Sequence, residues 1–274
     1  MSTSDRSDLA SALRGLRTES GLTAAAVARR AGMSAAKLSK LENNRVPATV
    51  ADVERILAAL EIPPRVRSEF LALARAASTE QRAWRVYRRL GFHKRQQEIA
   101  AIEGRSTEIR VFQSAMIPGL LQSAEYVRSL FSASSGLTEE ERSRTAASRL
   151  KRQDILYERE KRFYFLLTES ALRWTTLDKS AMSVQIDRII SLSKSPNITI
   201  ELIRFDGVKE DFPISSFCVF DRRLVTVETF HAEISTRDPR DVDLHMEVFD
   251  DFSAYALKGG AARDALAEVS EGFR

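Results

Sequence analysis

The 274-residue sequence has very few of the side chains from which disulfides and metal sites are built. Its one cysteine, Cys218, cannot form an internal disulfide, and it stands in an apolar run, which favours a buried structural thiol over a nucleophile. The only histidines, His93, His231 and His245, are far apart and form no H-x-x-x-H or H-E-x-x-H pattern. Neither G-x-x-x-x-G-K nor G-x-G-x-x-G occurs. We therefore expect no metal, no cofactor and no enzymatic activity.

Long apolar runs are missing as well. No stretch of about 18 apolar residues could span a membrane. The first residues, MSTSDRSDLASAL, are polar and lack the apolar core of a signal peptide. Together with the single cysteine, this predicts a cytoplasmic protein. The apolar content of 43% is ordinary for a globular protein, and the length allows two domains.

Positive charge is concentrated in the first part of the chain. Residues 1–100 contain 18 Lys and Arg against 10 Asp and Glu, whereas residues 101–274 contain 24 against 28. Contact with phosphates requires a basic surface of this kind. An imbalance of this size is also common on solvated helices, so it supports nucleic-acid binding without establishing it.

Residues 22–45, LTAAAVARRAGMSAAKLSKLENNR, have the pattern of two short helices joined by a turn. Thr23 and Ser34 are placed to cap the two helices, and Gly32 lies where the turn requires an unusual backbone angle. Small apolar residues on both helices would let them cross closely: Val27, Ala28, Ala31, Leu38 and Leu41. This layout indicates a DNA-binding helix-turn-helix.

The flanking sequence decides between this interpretation and a plain helical hairpin. Upstream, Leu9, Leu13 and Leu16 recur at helical spacing. Downstream, Thr49 can cap another amphipathic helix that ends near Leu60. Four short helices around one small core are therefore predicted, which favours the helix-turn-helix bundle.

Two segments, LRGLRTESGLT and SAAKLSKLENNRVPATVADVERILAAL, carry a family resemblance. Over residues 9–62 the chain resembles the xenobiotic-response-element and lambda-repressor-like helix-turn-helix family. The resemblance implies an ion pair between Arg17 and Glu42. It also implies that the helix 34–43 enters the major groove of operator DNA.

The same resemblance, with the exposed face of the second helix, yields the predicted contacts. We expect Ala35, Ala36, Lys37 and Lys40 near base edges and Thr23, Ser39, Asn44 and Arg45 near phosphates. The predicted DNA-binding residues are Thr23, Ser34, Ala35, Ala36, Lys37, Ser39, Lys40, Asn44 and Arg45. Ala35 and Ala36 offer only methyl contacts, for example to a thymine methyl, whereas Lys40 could donate to a guanine edge.

Three segments are predicted along the chain: a helix-turn-helix domain at 1–77, a helical connector at 78–107 and a larger domain at 108–274. The connector is rich in arginine, and two interpretations stay open. It could grip phosphates that flank the operator, or it could be a solvated helix whose aromatic residues, Trp84 and Tyr87, pack inward. The second is favoured.

Short apolar strands alternate with amphipathic helices over residues 108–274. Strand patterns stand at 108–113, 163–167 and 197–205, and a hairpin is expected near Asp221 and Arg222. The fold class is therefore multidomain: an all-α helix-turn-helix bundle followed by an α+β domain with a mainly antiparallel sheet. Within it, the segment MIPGLLQSAEY could line a ligand pocket or partner groove, or it could be a core connection, which is favoured.

The segments VFQSAMIPGLLQSAEYVRSLF, SRLKRQDIL and FYFLLTESALRW resemble the large C-terminal domain of actinobacterial WhiJ-like regulators. The resemblance implies a small BldB-like protein as a possible partner. Two hypotheses follow. The first is a sequence-specific transcriptional regulator that binds double-stranded DNA as a homodimer, with a C-terminal domain for dimerisation, a small-molecule effector or a protein partner. The alternative is an antitoxin-like interaction protein that binds a small partner and autoregulates its own operon.

Overall fold

The computed structural model describes residues 3–132, 136–174 and 177–274, with side chains from Leu9 onward except at Ala76. The chain divides into two compact units. Unit 1 comprises residues 1–81 together with 234–242, and unit 2 comprises residues 82–233 and 243–274. None of the described helices is long and apolar enough to cross a membrane.

Unit 1 contains a bundle of helices, three of which begin at a side-chain cap. They are α1 (Thr3–Glu19), α2 (Ala24–Arg30), α3 (Ala35–Glu42), α4 (Val50–Ala59) and α5 (Pro64–Ser78). The hydroxyls of Thr23, Ser34 and Thr49 accept from backbone amides at 3.2, 3.1 and 3.1 Å and so begin α2, α3 and α4. Gly32 has φ +62° in the turn between α2 and α3. The capping predictions are confirmed.

One apolar core holds the five helices of unit 1 together. Leu13 from α1, Val27 from α2 and Leu38 from α3 are fully buried. They meet Val53, Ile56 and Leu57 of α4 and Ala74 of α5 in a single cluster. The short side chains of α2 allow the close crossing with α3 that a helix-turn-helix requires.

Helices and strands alternate over the rest of the chain, most of which lies in unit 2; residues 79–81, 234–236 and 239–242 belong to unit 1. The elements are β1 (Thr79–Ala83), α6 (Trp84–Leu90), α7 (Phe92–Arg105), β2 (Glu108–Gln113), α8 (Ala124–Ser132), α9 (Glu139–Arg152), a 3₁₀ turn (Gln153–Tyr157), β3 (Arg162–Thr168), α10 (Glu169–Arg173), α11 (Lys179–Leu192), β4 (Ile198–Ile203), β5 (Phe217–Phe220), β6 (Leu224–Glu228), β7 (Ala232–Thr236), α12 (Pro239–Ala254) and α13 (Gly259–Glu271).

The strands form one seven-stranded sheet in the order β1-β7-β6-β5-β2-β3-β4. The pairs β2–β3 and β3–β4 are parallel, whereas β2–β5 and β5–β6 are antiparallel. One face of the sheet packs on α11 and α13 through residues such as Phe163, Ile186 and Leu266. Phe112 of β2 stacks on Phe252 of α12 at 4.9 Å. The predicted fold class, a helical bundle followed by an α+β domain with a mainly antiparallel sheet, is confirmed.

The predicted hairpin turns at the expected residues. Asp221 and Arg222 have φ values of 50° and 51°, the left-handed conformation that a tight two-strand turn demands. The Asp221 carboxylate accepts from the amides of Thr107 and Glu108 at 2.8 and 2.9 Å. These bonds fix the turn against the start of β2.

Two strands were not predicted. Residues 79–83, assigned from sequence to the helical connector, form β1, and residues 232–236 form β7. β1, TEQRA, has no apolar alternation because it lies at one end of the strand order and its side chains are exposed or half-buried. The domain boundaries predicted at residues 77 and 107 stay a prediction; the two compact units are a separate description of the structure.

Candidate nucleic-acid interface

Helix α3 presents one apolar and one polar face. Its apolar residues, Leu38 and Leu41, are buried in the core of unit 1. All nine residues predicted for DNA binding are exposed: Thr23, Ser34, Ala35, Ala36, Lys37, Ser39, Lys40, Asn44 and Arg45. The fold thus brings them to the surface of one helix and the segments that flank it. Their contacts with DNA stay a prediction.

Lys37 has a partner that the sequence pattern did not reveal. Its ammonium donates to the Asp52 carboxylate at 2.7 Å, and Arg55 donates to the same oxygen at 2.6 Å. Burial favours the neutral form of Asp52, but the hydrogen bonds from Lys37, Thr49 and Arg55 outweigh it and hold the pKa of this carboxyl below its ordinary value. No local sequence signal points to this pair, because Lys37 and Asp52 lie on different helices, 15 positions apart.

Unlike Lys37, Lys40 and Arg45 have no ion-pair partner in the described part of the chain, and neither side chain makes a hydrogen bond there. The end of α3 positions them, because the Arg45 amide donates to the Lys40 carbonyl at 2.8 Å and Asn44 takes a left-handed φ of 52°. Both cations therefore remain available to a negatively charged ligand.

The predicted ion pair between α1 and α3 is present. Arg17 Nε lies 2.7 Å from Glu42 Oε1, and Arg17 Nη2 lies 2.9 Å from Glu42 Oε2. The Glu42 side chain is only 5% exposed, so this bidentate pair fixes the angle of α3 from inside the bundle. The hydrogen bond to Glu42 raises the pKa of Arg17.

In unit 2 the segment MIPGLLQSAEY is part of the core. Ile117, Leu120 and Leu121 are buried. Three glutamines secure its backbone: Gln122 Nε2 donates to the Ile117 carbonyl at 2.8 Å, Gln153 Nε2 to the Gly119 carbonyl at 2.9 Å, and Gln185 Nε2 to the Leu121 carbonyl at 2.9 Å. The favoured interpretation, a connection packed in the core, agrees with these contacts.

A cleft of about 500 Å³ lies between α7 and the end of α9. Glu103 and Arg152 line it with side chains only 5% and 7% exposed, and Arg152 Nε lies 3.3 Å from Glu103 Oε2. Burial raises the pKa of Glu103 to about 7, against the opposing charges of Arg152, Arg95, Arg149 and Lys161. Sequence reasoning missed this pair because 49 positions separate its members and nothing local connects them.

The residues considered for catalysis are dispersed. His245 packs edge-on against Phe217 at 4.9 Å, and His231 Nδ1 lies 3.3 Å from the Thr229 hydroxyl. Burial raises the pKa of Cys218 to about 12, so its thiol stays protonated. Among the residues that the structure describes, no three His, Cys, Asp or Glu side chains are grouped as metal ligands would be.

Comparison with known families gives two matches. Residues 96–268 match a family described as a domain of unknown function, DUF5753. Residues 8–70 match a helix-turn-helix domain, HTH_31, which supports a DNA-binding regulator. No curated protein matches the chain.

Three solved structures resemble the chain at low sequence identity. The archaeal chromatin protein TrmBL2, whose structure is described as showing a novel mode of DNA binding, has 14% identity and a TM-score of 0.36 over 75% of this chain and 66% of its own. NucT from Helicobacter pylori has 8% sequence identity and a TM-score of 0.40, and the match covers 66% of this chain and 98% of NucT. Nuc from Salmonella typhimurium, a phospholipase D family member, has 13% identity and a TM-score of 0.34, and the match covers 66% of this chain and 97% of Nuc. TM-scores this low do not establish a shared fold.

Proposed function

The chain belongs to the family that shares the domain of unknown function DUF5753, and on that premise we propose that it is a sequence-specific DNA-binding transcriptional regulator that reads operator DNA through α3. The observation that carries the proposal is the exposed polar face of α3 on a capped helix-turn-helix bundle. Such a helix enters the major groove and presents its side chains to base edges.

The two lysines of α3 should contribute differently. Because Lys37 already binds the Asp52 carboxylate, contact with a base would have to compete with that ion pair. Lys40 has no such competitor among the described residues and can donate to a guanine edge. Ala35 and Ala36 would add methyl contacts. Lys40 is therefore the main candidate for base discrimination, and Arg45 for phosphate contact.

Substitution of these two residues tests the docking. We expect Lys40→Ala to reduce discrimination between the operator and single-base variants by about 1–3 kcal/mol at the contacted position. Arg45→Ala should weaken binding to every duplex equally, because a phosphate contact carries no sequence information. Anisotropy titrations on operator, mutated operator and random duplexes measure both effects. Unchanged affinities in both variants would refute this docking.

Homodimerisation belongs to the same proposal, since one short helix reads too few base pairs for high selectivity and two half-sites supply more. Sedimentation of the full chain with and without operator duplex tests it.

A cytoplasmic location and the likeness of unit 2 to WhiJ-like regulators are likewise parts of the proposal. A small-molecule effector would have to bind unit 2, where the cleft beside Glu103 offers a volume of about 500 Å³.

Binding of a small protein partner, as in the antitoxin-like alternative, is favoured by one feature. The segment between β4 and β5 exposes four apolar side chains: Phe205 at 63%, Val208 at 97%, Phe212 at 76% and Ile214 at 88%. Large apolar side chains exposed this closely along one segment are what a protein partner could cover. Purification from the native cell should yield a stoichiometric small protein, and Phe212→Ser with Ile214→Ser should release it.

A further inference from the structure

Helix α6 of unit 2 carries a charge pattern that its own fold does not explain. From residue 81 to residue 97 the sequence contains no Asp or Glu. Arg85, Arg88 and Arg89 lie within this stretch, and all three are exposed. We call these three residues the arginine face.

Spacing places the three arginines of the arginine face on one side of α6. Positions 85, 88 and 89 stand at i, i+3 and i+4, which is one side of a helix. Like charges at this spacing destabilise a helix. In the part of the chain that the structure describes, none of the three side chains forms a hydrogen bond or an ion pair that would compensate. Arg88 and Arg89 stand in the last turn, where the helix dipole favours cations, but this accounts for neither Arg85 nor the absence of any acidic partner. An exposed cluster of like charges without acidic partners is typical of a functional surface.

The opposite side of α6 is firmly anchored. Trp84 Nε1 donates to the Thr229 carbonyl at 2.7 Å, and the Trp84 amide donates to the His231 carbonyl at 3.0 Å. Tyr87 is only 2% exposed. This inward packing of the aromatic residues, favoured from the sequence, fixes the direction in which the arginine face points and leaves it open to a ligand.

The charge is local to this helix. Unit 2 contains 28 Lys and Arg and 27 Asp and Glu, a net charge of +1. The arginine face accounts for three of the positive charges, so the remainder of unit 2 is net negative by two. Arg82, nearby in sequence, is paired with Glu98 at 3.0 Å and is not part of the face. The arginine face is thus a positive surface on an otherwise mildly acidic unit.

We propose that the arginine face binds the phosphate backbone of double-stranded DNA as a second contact outside the helix-turn-helix, without base recognition. This inference rests on the proposed function. Guanidinium groups pair with phosphates in a planar, two-bond geometry, and such contacts orient a protein on the duplex without reading sequence. DNA is preferred over an anionic membrane because the aromatic side chains of α6 pack inward, away from a membrane surface, and the same chain carries a helix-turn-helix.

The test compares two full-chain variants that lose the same charge. One carries Arg85→Gln, Arg88→Gln and Arg89→Gln. The matched control carries Arg105→Gln, Arg159→Gln and Arg162→Gln, which are exposed residues elsewhere on unit 2. Affinity for the promoter duplex and for a random duplex is measured from about 50 to 300 mM KCl, a range over which the Debye length falls by about half. Circular dichroism verifies folding.

We expect the slope of log affinity against log salt to be smaller in magnitude by about 2 to 3 in the arginine-face variant, since each phosphate contact contributes about 0.9 to it. Its affinity should fall by the same factor on both duplexes, so selectivity is kept. The control should match the wild type. Replacing all three arginines by lysine should restore most of the slope, which separates loss of charge from loss of folding.

Three results would overturn the inference. If the wild type binds the promoter selectively but the arginine-face variant and the control behave alike, the second contact is wrong and the proposed function stands. If the wild type binds neither duplex, both are wrong. Binding of the wild type and the arginine-face variant to vesicles that contain anionic lipid is measured as well. If the variant loses vesicle binding but keeps its DNA binding unchanged, the arginine face binds a membrane instead.

Discussion

Removing Arg17 should leave a buried carboxylate without a counter-ion inside unit 1. The Glu42 side chain is 5% exposed, and its two oxygens receive bonds of 2.7 and 2.9 Å from Arg17. Breaking a buried pair from one side costs about 3–5 kcal/mol. Arg17 is 17% exposed, so water reaches part of the site, and we expect Arg17→Ala to cost about 2–4 kcal/mol of unit 1 stability.

Hydrogen exchange of backbone amides measures this cost in the full chain, because unfolding of unit 1 can be followed in peptides from α1 and α3. Arg14→Ala is the matched control: the same charge is removed from the same helix, but Arg14 is exposed. We expect less than about 0.5 kcal/mol there. Operator affinity of Arg17→Ala should fall in proportion to the unfolded fraction.

A paired substitution sharpens the argument. Replacing both members by apolar residues, Arg17→Met with Glu42→Leu, should recover most of the loss, because the desolvated charge disappears with its partner. If Arg17→Ala behaves like Arg14→Ala, or if the paired variant is no more stable than Arg17→Ala, the ion pair does not hold α3 in place and the reasoning fails.

Two further predictions concern unit 2. The pKa of Glu103 is raised to about 7, above its ordinary 4.5, so the charged form is disfavoured in the folded state and the free energy of unfolding should fall by up to about 3 kcal/mol as the pH rises from 4.5 through 7. Urea titrations at pH 5 and 8 should show this fall in the wild type but not in Glu103→Gln, and an equal pH dependence in both would contradict it. A Cβ on Gly119 would lie 2.6 Å from Arg152 Nη2, the end of a flexible side chain that lines the cleft and can move aside, whereas one on Gly104 would meet nothing within 4 Å. Gly119→Ala should therefore change stability by less than about 0.5 kcal/mol, whereas Gly104→Ala, inside α7, should add about 0.5–1 kcal/mol; a loss of stability in Gly104→Ala on thermal denaturation would refute the argument.

Local patterns predicted the helix-turn-helix well. Side-chain caps at Thr23, Ser34 and Thr49, the left-handed Gly32 and the Arg17–Glu42 pair all follow from short spacings or from a family resemblance over four helices. In such a bundle most contacts are local in sequence, so the residues that meet are recognised by periodicity. The exposed face of α3 follows from the same periodicity.

Long-range contacts explain what was missed. The Asp52 partner of Lys37 comes from another helix, and the Glu103–Arg152 pair joins α7 to α9. Strand β1 has no apolar alternation because it lies at the end of the strand order. Neither composition nor periodicity encodes such pairings, since they depend on which elements become neighbours in the fold.

Binding of the full chain to its own promoter tests the central claim, that α3 reads operator DNA, most directly. A mobility-shift titration at several salt concentrations, against an excess of random DNA, should show a promoter complex that survives the competitor, weakens steeply with salt, and loses its selectivity in Lys40→Ala. Equal binding to promoter and random DNA, unaffected by Lys40→Ala, would contradict the claim.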